Sequence, residues 1–430
     1  METIPLNTLD PAAPLDDLDW LDGVVGDARV VAIGESSHYN REFFQLRTRL
    51  LRHLVERHGF TALAIESGFT EGWRTDAWVR GAGEDAEIGE VLATGVTSMF
   101  GLWTEAREQL EWLREHNRRA DRGVGFYGID LPGSQASMLP GLDAVTEYLV
   151  TADPKYTVDP AIRDTVTEYA ASSAFGVPQA IQTYLSLGAE RRDAITAGLA
   201  DLVGRMRALR AEYVDRTDAE SFERALRTLL NTVALDAMVR EVARGNPEGI
   251  HSSLRDSAIA DTVKLILDRE ERVVIGAHNA HVQRSAFTFP SMGTSATMGM
   301  HLAEHLDEDY VTIGTTFADG EILATGEGFY AGELFSEAEK PQPGSLDALM
   351  AASGDGAFAV DLRQLSKQDA DLLAGTMAHR ISSFYIDVNP STAFDAIVHI
   401  PQVTAATPDP DALAHSPAPV RETFAKYRPE

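Results

Sequence analysis

Apolar positions along the chain fall into two rhythms, and their alternation predicts the fold. From Ala28 the β-branched run ARVVAIGE ends in a glycine and a glutamate. Phe43, Phe44, Leu46, Leu50, Leu51, Leu54 and Val55 then recur at helical spacing until Gly59, and a second apolar run, FTALAIES, closes the unit at Glu66 and Ser67. Strand, helix and strand in that order predict parallel strands joined by a right-handed crossover. The pattern returns twice. TEAREQLEWLREHNRRA precedes the strand GVGFYGID (Gly123 to Asp130), and LRDSAIADTVKLILDRE precedes ERVVIGAHNAH (Glu271 to His281). YVTIGTTF (Tyr310 to Phe317), FYIDVN and AIVHI read as later strands.

Between Ser134 and Asn246 the strand rhythm disappears. Long amphipathic patterns replace it, one of them starting at Asp218 to Glu220 with residues suited to a helix N-terminus. The expected architecture is therefore α/β, a mostly parallel sheet flanked by helices. Residues 1–133 and 251–430 form the catalytic core, and 134–250 form an inserted helical bundle next to the active-site cleft, placed as a lid would be. PDPDALAHSPAP near the C-terminus reads as a turn-rich segment. There are no internal repeats.

In an open parallel sheet the crevice for chemistry lies outside the carboxyl ends of the strands. The polar residues there are Glu35 and His38 after the first strand, Glu66 after the second, Asp130 after the third, and His278 with His281 after VVIGA. Each has a plain structural reading, as a helix cap, a solvated charge or a loop residue, and for Asp130 alone capping is the favoured one. Four strand ends delivering acids or imidazoles to one rim favour function. An imidazole beside Glu35 or Glu66 can take a proton from water, so His38 is the candidate base. The second imidazole pair can polarise a carbonyl or stabilise an oxyanion. No G-x-S-x-G elbow occurs, and Ser36 and Ser37 stand too close to His38 for an ordinary triad. Zinc or iron is the chemical rival by ligand type, although the chain has neither H-E-x-x-H nor any thiolate.

Composition narrows the partners. The 430 residues are 44% apolar and 24% charged, as in ordinary globular proteins, and carry a net charge of −29, which repels phosphate backbones and anionic lipid. Cysteine is absent, which excludes disulfides and a thiol nucleophile. The first twenty residues show no basic n-region or apolar h-region, and no apolar run approaches the ~20 residues of a membrane span. A cytoplasmic protein acting on a small molecule is expected, with no nucleic-acid or membrane partner. Monomer and homodimer are both open.

GESSHYNREFF, LAIESGF, FYGIDLPG and VVIGAHNAHVQR, in this order, resemble the erythromycin esterase family. W-T-E at Trp103 to Glu105, MGMHL at Met298 to Leu302 and the late FDAIVHIPQVTAATP extend the resemblance over nearly the whole chain. It implies an α/β core with a helical bundle beside a deep cleft, and cofactor-free, metal-independent hydrolysis of macrolide lactones, an antibiotic-resistance activity in some members. It implies that His38 is the general base, with Glu35, Glu66, His278 and His281 in the catalytic group. Through the resemblance alone, Arg47 joins them on the first helix, and Arg255 with Asp256 on a later one. The family pattern continues beyond that pair with Met and Asn where this chain has Ile259 and Asp261, so a substrate contact there is not implied. A natural-product or polysaccharide tailoring enzyme using the same residues, a metal-dependent hydrolase and a non-catalytic binding homologue are the alternatives.

Overall fold

The computed structural model describes residues 1–245, 249–289 and 293–427. Among these the central sheet has nine strands: β1 (Ile4–Pro5), β2 (Val30–Glu35), β3 (Ala62–Gly68), β4 (Gly125–Asp130), β5 (Val273–His278), β6 (Tyr310–Leu323), β7 (Phe335–Glu337), β8 (Phe358–Asp361) and β9 (Ala396–Val403). The spatial order is β1-β8-β9-β6-β2-β5-β3-β4, with β7 beside the far end of β6. Every pair from β9 to β4 is parallel, while β1, β8 and β7 pair antiparallel at the margins. The fold class is thus the mostly parallel α/β architecture that the alternating rhythms predict.

Both faces of the sheet are covered, and the period of two along each strand decides which side chain goes where. Val31, Ile33, Leu63 and Ile65 point into one core with Phe43, Leu46, Leu50 and Leu54 of helix α1 (Arg41–His58). Their neighbours Val30, Ala32, Ala62 and Ala64 point into the other, against Ile259, Val263 and Ile266. Gly59 ends α1 in the left-handed conformation (φ 68°), where glycine carries no Cβ penalty. Helices α2 (Phe69–Val79) and α3 (Thr104–Arg119) then lead from β3 to β4.

Between β4 and β5 the chain is helical: α4 (Leu139–Ala152), α5 (Pro160–Tyr169), α6 (Val177–Ser186), α7 (Ala189–Ala208), α8 (Arg210–Arg216), α9 (Ala219–Arg244) and α10 (Ile250–Leu267). Asp218 caps α9 by accepting from the Ser221 amide. These helices share a third core, including Leu142, Leu149, Val166, Leu202, Phe222 and Leu229, that reaches Leu131 and Ala258 at its ends. Asn246, at the expected end of the insertion, lies outside the described residues.

The expected strand in FYIDVN, Phe384–Asp387, pairs with Ala378–Ile381 in a separate two-stranded ladder. Two other expectations are corrected. PDPDALAHSPAP is largely helical: Asp409 accepts from the Ala412 amide to start a helix at Pro410–His415, and Ala418–Lys426 follows. Asp-Pro is a helix-starting pair as well as a turn pair, since proline's fixed φ suits the first helical position. The strand YVTIGTTF extends to Leu323, long enough to pair with β7. No helix among the described residues is long and apolar enough to cross a membrane.

Helix α2 lies so close on β4 that a Cβ at Gly72 would sit 2.7 Å from the Gly128 amide nitrogen, and one at Gly128 would overlap the Gly68 carbonyl. These contacts are with backbone, which cannot rotate away. Gly128→Ala is expected to lower stability by about 1–3 kcal/mol, read as a lower urea midpoint at unchanged slope.

Candidate active site

The rim is built by tight turns at the ends of the central strands. After β2 the backbone passes through Ser36 and Ser37 to His38 and a buried Tyr39 in the left-handed region (φ 61°), a conformation that costs an ordinary residue about 1–3 kcal/mol. Surrounding bonds hold it there. The Ser36 amide donates to Thr315 Oγ1 at 2.9 Å, and Ser36 O accepts from the Ser382 amide at 2.6 Å. Asn40 Nδ2 donates to the carbonyls of Glu321 and Thr404, the Ala406 amide donates to Tyr39 O, and the Tyr39 hydroxyl donates to Ser98 O.

This turn aims His38 at three acid and base partners. Its Nδ1 lies 2.6 Å from Glu35 Oε1; a carboxylate only accepts, so Nδ1 carries the proton and Nε2 keeps its lone pair. Nε2 stands 3.8 Å from Glu66 Oε1, too far for a direct bond but close enough to share one water. The ring meets His278 edge to face at 4.9 Å and Phe100 at 5.2 Å, and the side chain retains 20% exposure. Burial works to lower its pKa, but the charges of Glu66 and Glu35 outweigh it and raise the imidazolium above the usual value.

Each neighbour is fixed by another segment. Arg47, nearly two turns into α1, donates from Nη1 to the second oxygen of Glu35 at 3.2 Å. It passes Gly276 of β5, where any Cβ would overlap its Cδ. Glu66 is 4% exposed; Oε1 accepts from Arg255 Nη2 at 2.7 Å and lies 3.3 Å from His281 Nε2, while Oε2 accepts from the His278 amide at 3.0 Å. Burial would raise its pKa, but His281, His38 and Arg255 hold it well below the usual carboxylate range. Arg255 also donates from Nε and Nη2 to Asp130, which accepts from Gln135 and from the Leu131 amide as well. Asp130 is therefore both the loop cap its sequence context favours and a member of the network.

The histidine that ends β5 and the one that follows it differ in charge. His278 Nδ1 accepts from the Ala280 amide at 3.3 Å, which puts its proton on Nε2, and burial together with the neighbouring His38 holds its pKa well below 6.5. His281 Nδ1 donates to Asp256 Oδ1 at 2.8 Å. Burial opposes its charge, yet Asp256 and Glu66 push its pKa up to about 10. Asp256 is oriented in turn by the Met298 amide at 2.7 Å. Among the described residues this rim does not offer three ligand atoms within 4.8 Å of one another. All nine residues expected at the site, Glu35, His38, Arg47, Glu66, Asp130, Arg255, Asp256, His278 and His281, thus form one connected cluster.

Two cavities flank the loop after β4. One, about 250 Å³, is walled by Gln135, Met138, Tyr169, Ile181, Leu235 and His251, and is largely apolar. The other, about 550 Å³, runs past Glu71, Ser98, Met99 and Thr167. Both share Ser134 and Ser137.

The family model described as erythromycin esterase matches residues 55–403. The chain belongs to the erythromycin esterase family. Within it, the chain is 30% identical over 412 residues to an Escherichia coli protein named erythromycin esterase type II, covering 92% of this chain and 95% of that one. It is 25% identical over 408 residues to E. coli erythromycin esterase type I, covering 89% and 93%. A histidine-to-asparagine mutant of the erythromycin esterase EreC in its open conformation superposes with a TM-score of 0.75 at 22% identity, covering 93% of this chain and 97% of that one. A succinoglycan biosynthesis protein shares the same fold, with a TM-score of 0.73 at 21% identity over 94% and 95% of the two chains. As an erythromycin esterase family member the chain is a hydrolase.

Sequence reasoning missed several residues that brace or border this cluster. Gln135 braces Asp130 and Asn279 ties β5 to Thr315; both look like ordinary polar loop residues. Glu71 is the more telling omission. It accepts from the Gly133 amide at 2.7 Å, and burial pushes its pKa up to about 7. Its place five residues after Glu66, in the first turn of α2, was the available signal. The contrast between the two rim histidines is directly testable: in a histidine NMR titration His281 is expected to remain imidazolium through neutral pH with a pKa of about 10, His278 to remain neutral, and Asp256→Asn to bring the His281 midpoint down.

Proposed function

We propose that the chain hydrolyses an ester or macrolactone of a natural-product-like substrate by direct attack of water activated by His38. The observation that carries this reading is the pair of commitments on one ring: Nδ1 to Glu35, and Nε2 free within 3.8 Å of Glu66. A water held between His38 Nε2 and Glu66 attacks the carbonyl carbon, and its proton passes to His38. The charge developing on the carbonyl oxygen is met by the Nε2–H of His278 and by the cationic side chains of Arg255 and His281. When the tetrahedral intermediate collapses, the C–O bond of the ester breaks and His38 returns the proton to the departing alkoxide, leaving a carboxylic acid and an alcohol.

One feature supports metal-independent chemistry: among the described residues the rim does not bring three ligand atoms within 4.8 Å of one another. Arg47 and Asp256 act as positioning residues, the first on Glu35 and the second on His281. Residues 134–250 form the wall and lid of the cleft, next to the largely apolar cavity, which suits a hydrophobic macrocycle. The net charge of −29 favours neutral or cationic substrates over polyanions. The names of the E. coli relatives make macrolides the first substrates to test, and a resistance role follows if they are cleaved. A small-molecule substrate in the cytoplasm, with no nucleic-acid or membrane partner, completes the reading.

The test is incubation of the purified chain with macrolides, simpler lactones and esters, with mass spectrometry for the gain of one water. His38→Ala is expected to cost ~10²–10⁴ in kcat/KM with the fold retained; turnover unchanged in that variant overturns the mechanism. A chelator is expected to leave turnover intact.

The pH profile follows from the sign of the His38 shift. The base must be neutral, so kcat/KM is expected to fall as pH drops through an apparent pKa above 6.5. Glu66→Gln removes the nearby charge that contributes the largest single upward effect on His38, so the surviving activity should show its acid limb displaced toward lower pH.

A further inference from the structure

Far from the rim, three ligand-type side chains converge on one point. Helix α1 starts beside the catalytic turn and runs back along the sheet, so its last turn lies about 27 Å away. There His53 Nε2 stands 2.7 Å, and His58 Nε2 2.8 Å, from the same oxygen of Asp22, which belongs to the short helix Trp20–Val25. Among the described residues this is the group whose three ligand atoms all fall within 4.8 Å of one another. We propose that Asp22, His53 and His58 form a zinc site that clips the N-terminal segment to the end of α1.

The surroundings favour an ion over a simple ion pair. Asp16 and Asp19 engage Arg57, and Asp17 engages Arg49 at 2.6 Å, so the neighbouring aspartates of DDLDWLD all meet guanidinium groups. Asp22 instead meets two imidazoles. His53 is fully buried with its Nδ1 sealed off without a hydrogen-bond partner, which leaves Nε2 as the ring's one outlet.

The chemistry selects the metal. Two imidazole nitrogens and one carboxylate oxygen suit zinc, whereas calcium and magnesium require oxygen donors. Zinc bonds of about 2.0–2.2 Å in tetrahedral geometry hold ligand atoms about 3.4 Å apart, so each imidazole nitrogen must move about 0.6–0.7 Å away from the Asp22 oxygen. The Asp22 side chain is 50% exposed and His58 15%, which provides that freedom, an entry path and room for water as the fourth ligand. The ion also lies at a helix C-terminus, where positive charge is favoured.

The experiment uses the full-length chain, stripped with chelator and dialysed, with zinc added in a calorimetric titration and in thermal melts. One zinc per chain and a rise in Tm are expected. Both should be lost in His58→Gln and in Asp22→Asn, each checked for fold by circular dichroism, and both retained in His38→Gln, which disables the rim. Cobalt substituted for zinc should give the intense visible absorption of a tetrahedral centre, absent in His58→Gln. Failure of the stripped chain to bind zinc, or binding and Tm gain unchanged in both Asp22→Asn and His58→Gln, overturns the proposal, as does binding that disappears with His38.

Discussion

Glu66 sits almost wholly out of water at the end of a central strand, where a carboxylate survives only if its charge is answered from several directions. Arg255 from α10, His281 from the turn after β5, the His278 amide and His38 supply that answer, and each is a different part of the chain. Loss of any one leaves a buried charge short of a partner. The cluster as a whole repeats the constraint: the carboxylates of Glu35, Glu66, Asp130 and Asp256 face the cations Arg47, Arg255 and His281. One positive charge is missing, and His38 is the group able to supply it by taking a proton. The same imbalance raises its pKa by stabilising the imidazolium form.

Close approach makes this packing possible. Arg47 reaches Glu35 by crossing the face of β5 at Gly276, and Asn279 fits over β2 at Gly34, where a Cβ would overlap its amide oxygen. From there Asn279 donates to Thr315 O and accepts from the Thr315 amide, joining β5 to β6 across β2. The glycines in VAIGES and VVIGAH thus serve the site as well as the strands: they let side chains lie where a sheet would otherwise present Cβ atoms.

The parallel core was legible because each of its strands is a buried apolar run ending in polar residues, and the crossover helix α1 has a strong apolar stripe. The margins were not. Ile4–Pro5 and Phe358–Asp361 are too short to show a period, and Phe384–Asp387 has a strand pattern that says nothing about its partner. In the tail, Asp-Pro serves turns and helix starts alike. The site follows the same division. Glu35, His38, Glu66, His278 and His281 stand at strand ends, where topology alone gathers them. Arg255 and Asp256 lie within a helix that is covered on several sides, and Arg47 among other arginines, so that only family resemblance singled them out. Asp22, His53 and His58 escaped notice because two of them sit in an unremarkable helix end and the third lies some thirty residues upstream, a pairing set by how the N-terminal segment folds back.

Strained backbone connects the turn bearing His38 to the helical insertion. Tyr39, Ser98, Met99, Ser134 and Gln135 all adopt left-handed conformations. The Tyr39 hydroxyl donates to Ser98 O, the Ser98 amide donates to Ser134 Oγ, and Gln135 donates to Asp130. A continuous path of hydrogen bonds thus runs from the residue after His38 to the loop that launches α4. Each strained residue stores about 1–3 kcal/mol that its bonds must hold, so a shift of the insertion cannot leave the turn bearing His38 indifferent. The turn bearing His38 and the loop that opens the helical insertion are thus tied together by hydrogen bonds, with Asp130 at the end of β4 as their fixed point on the sheet.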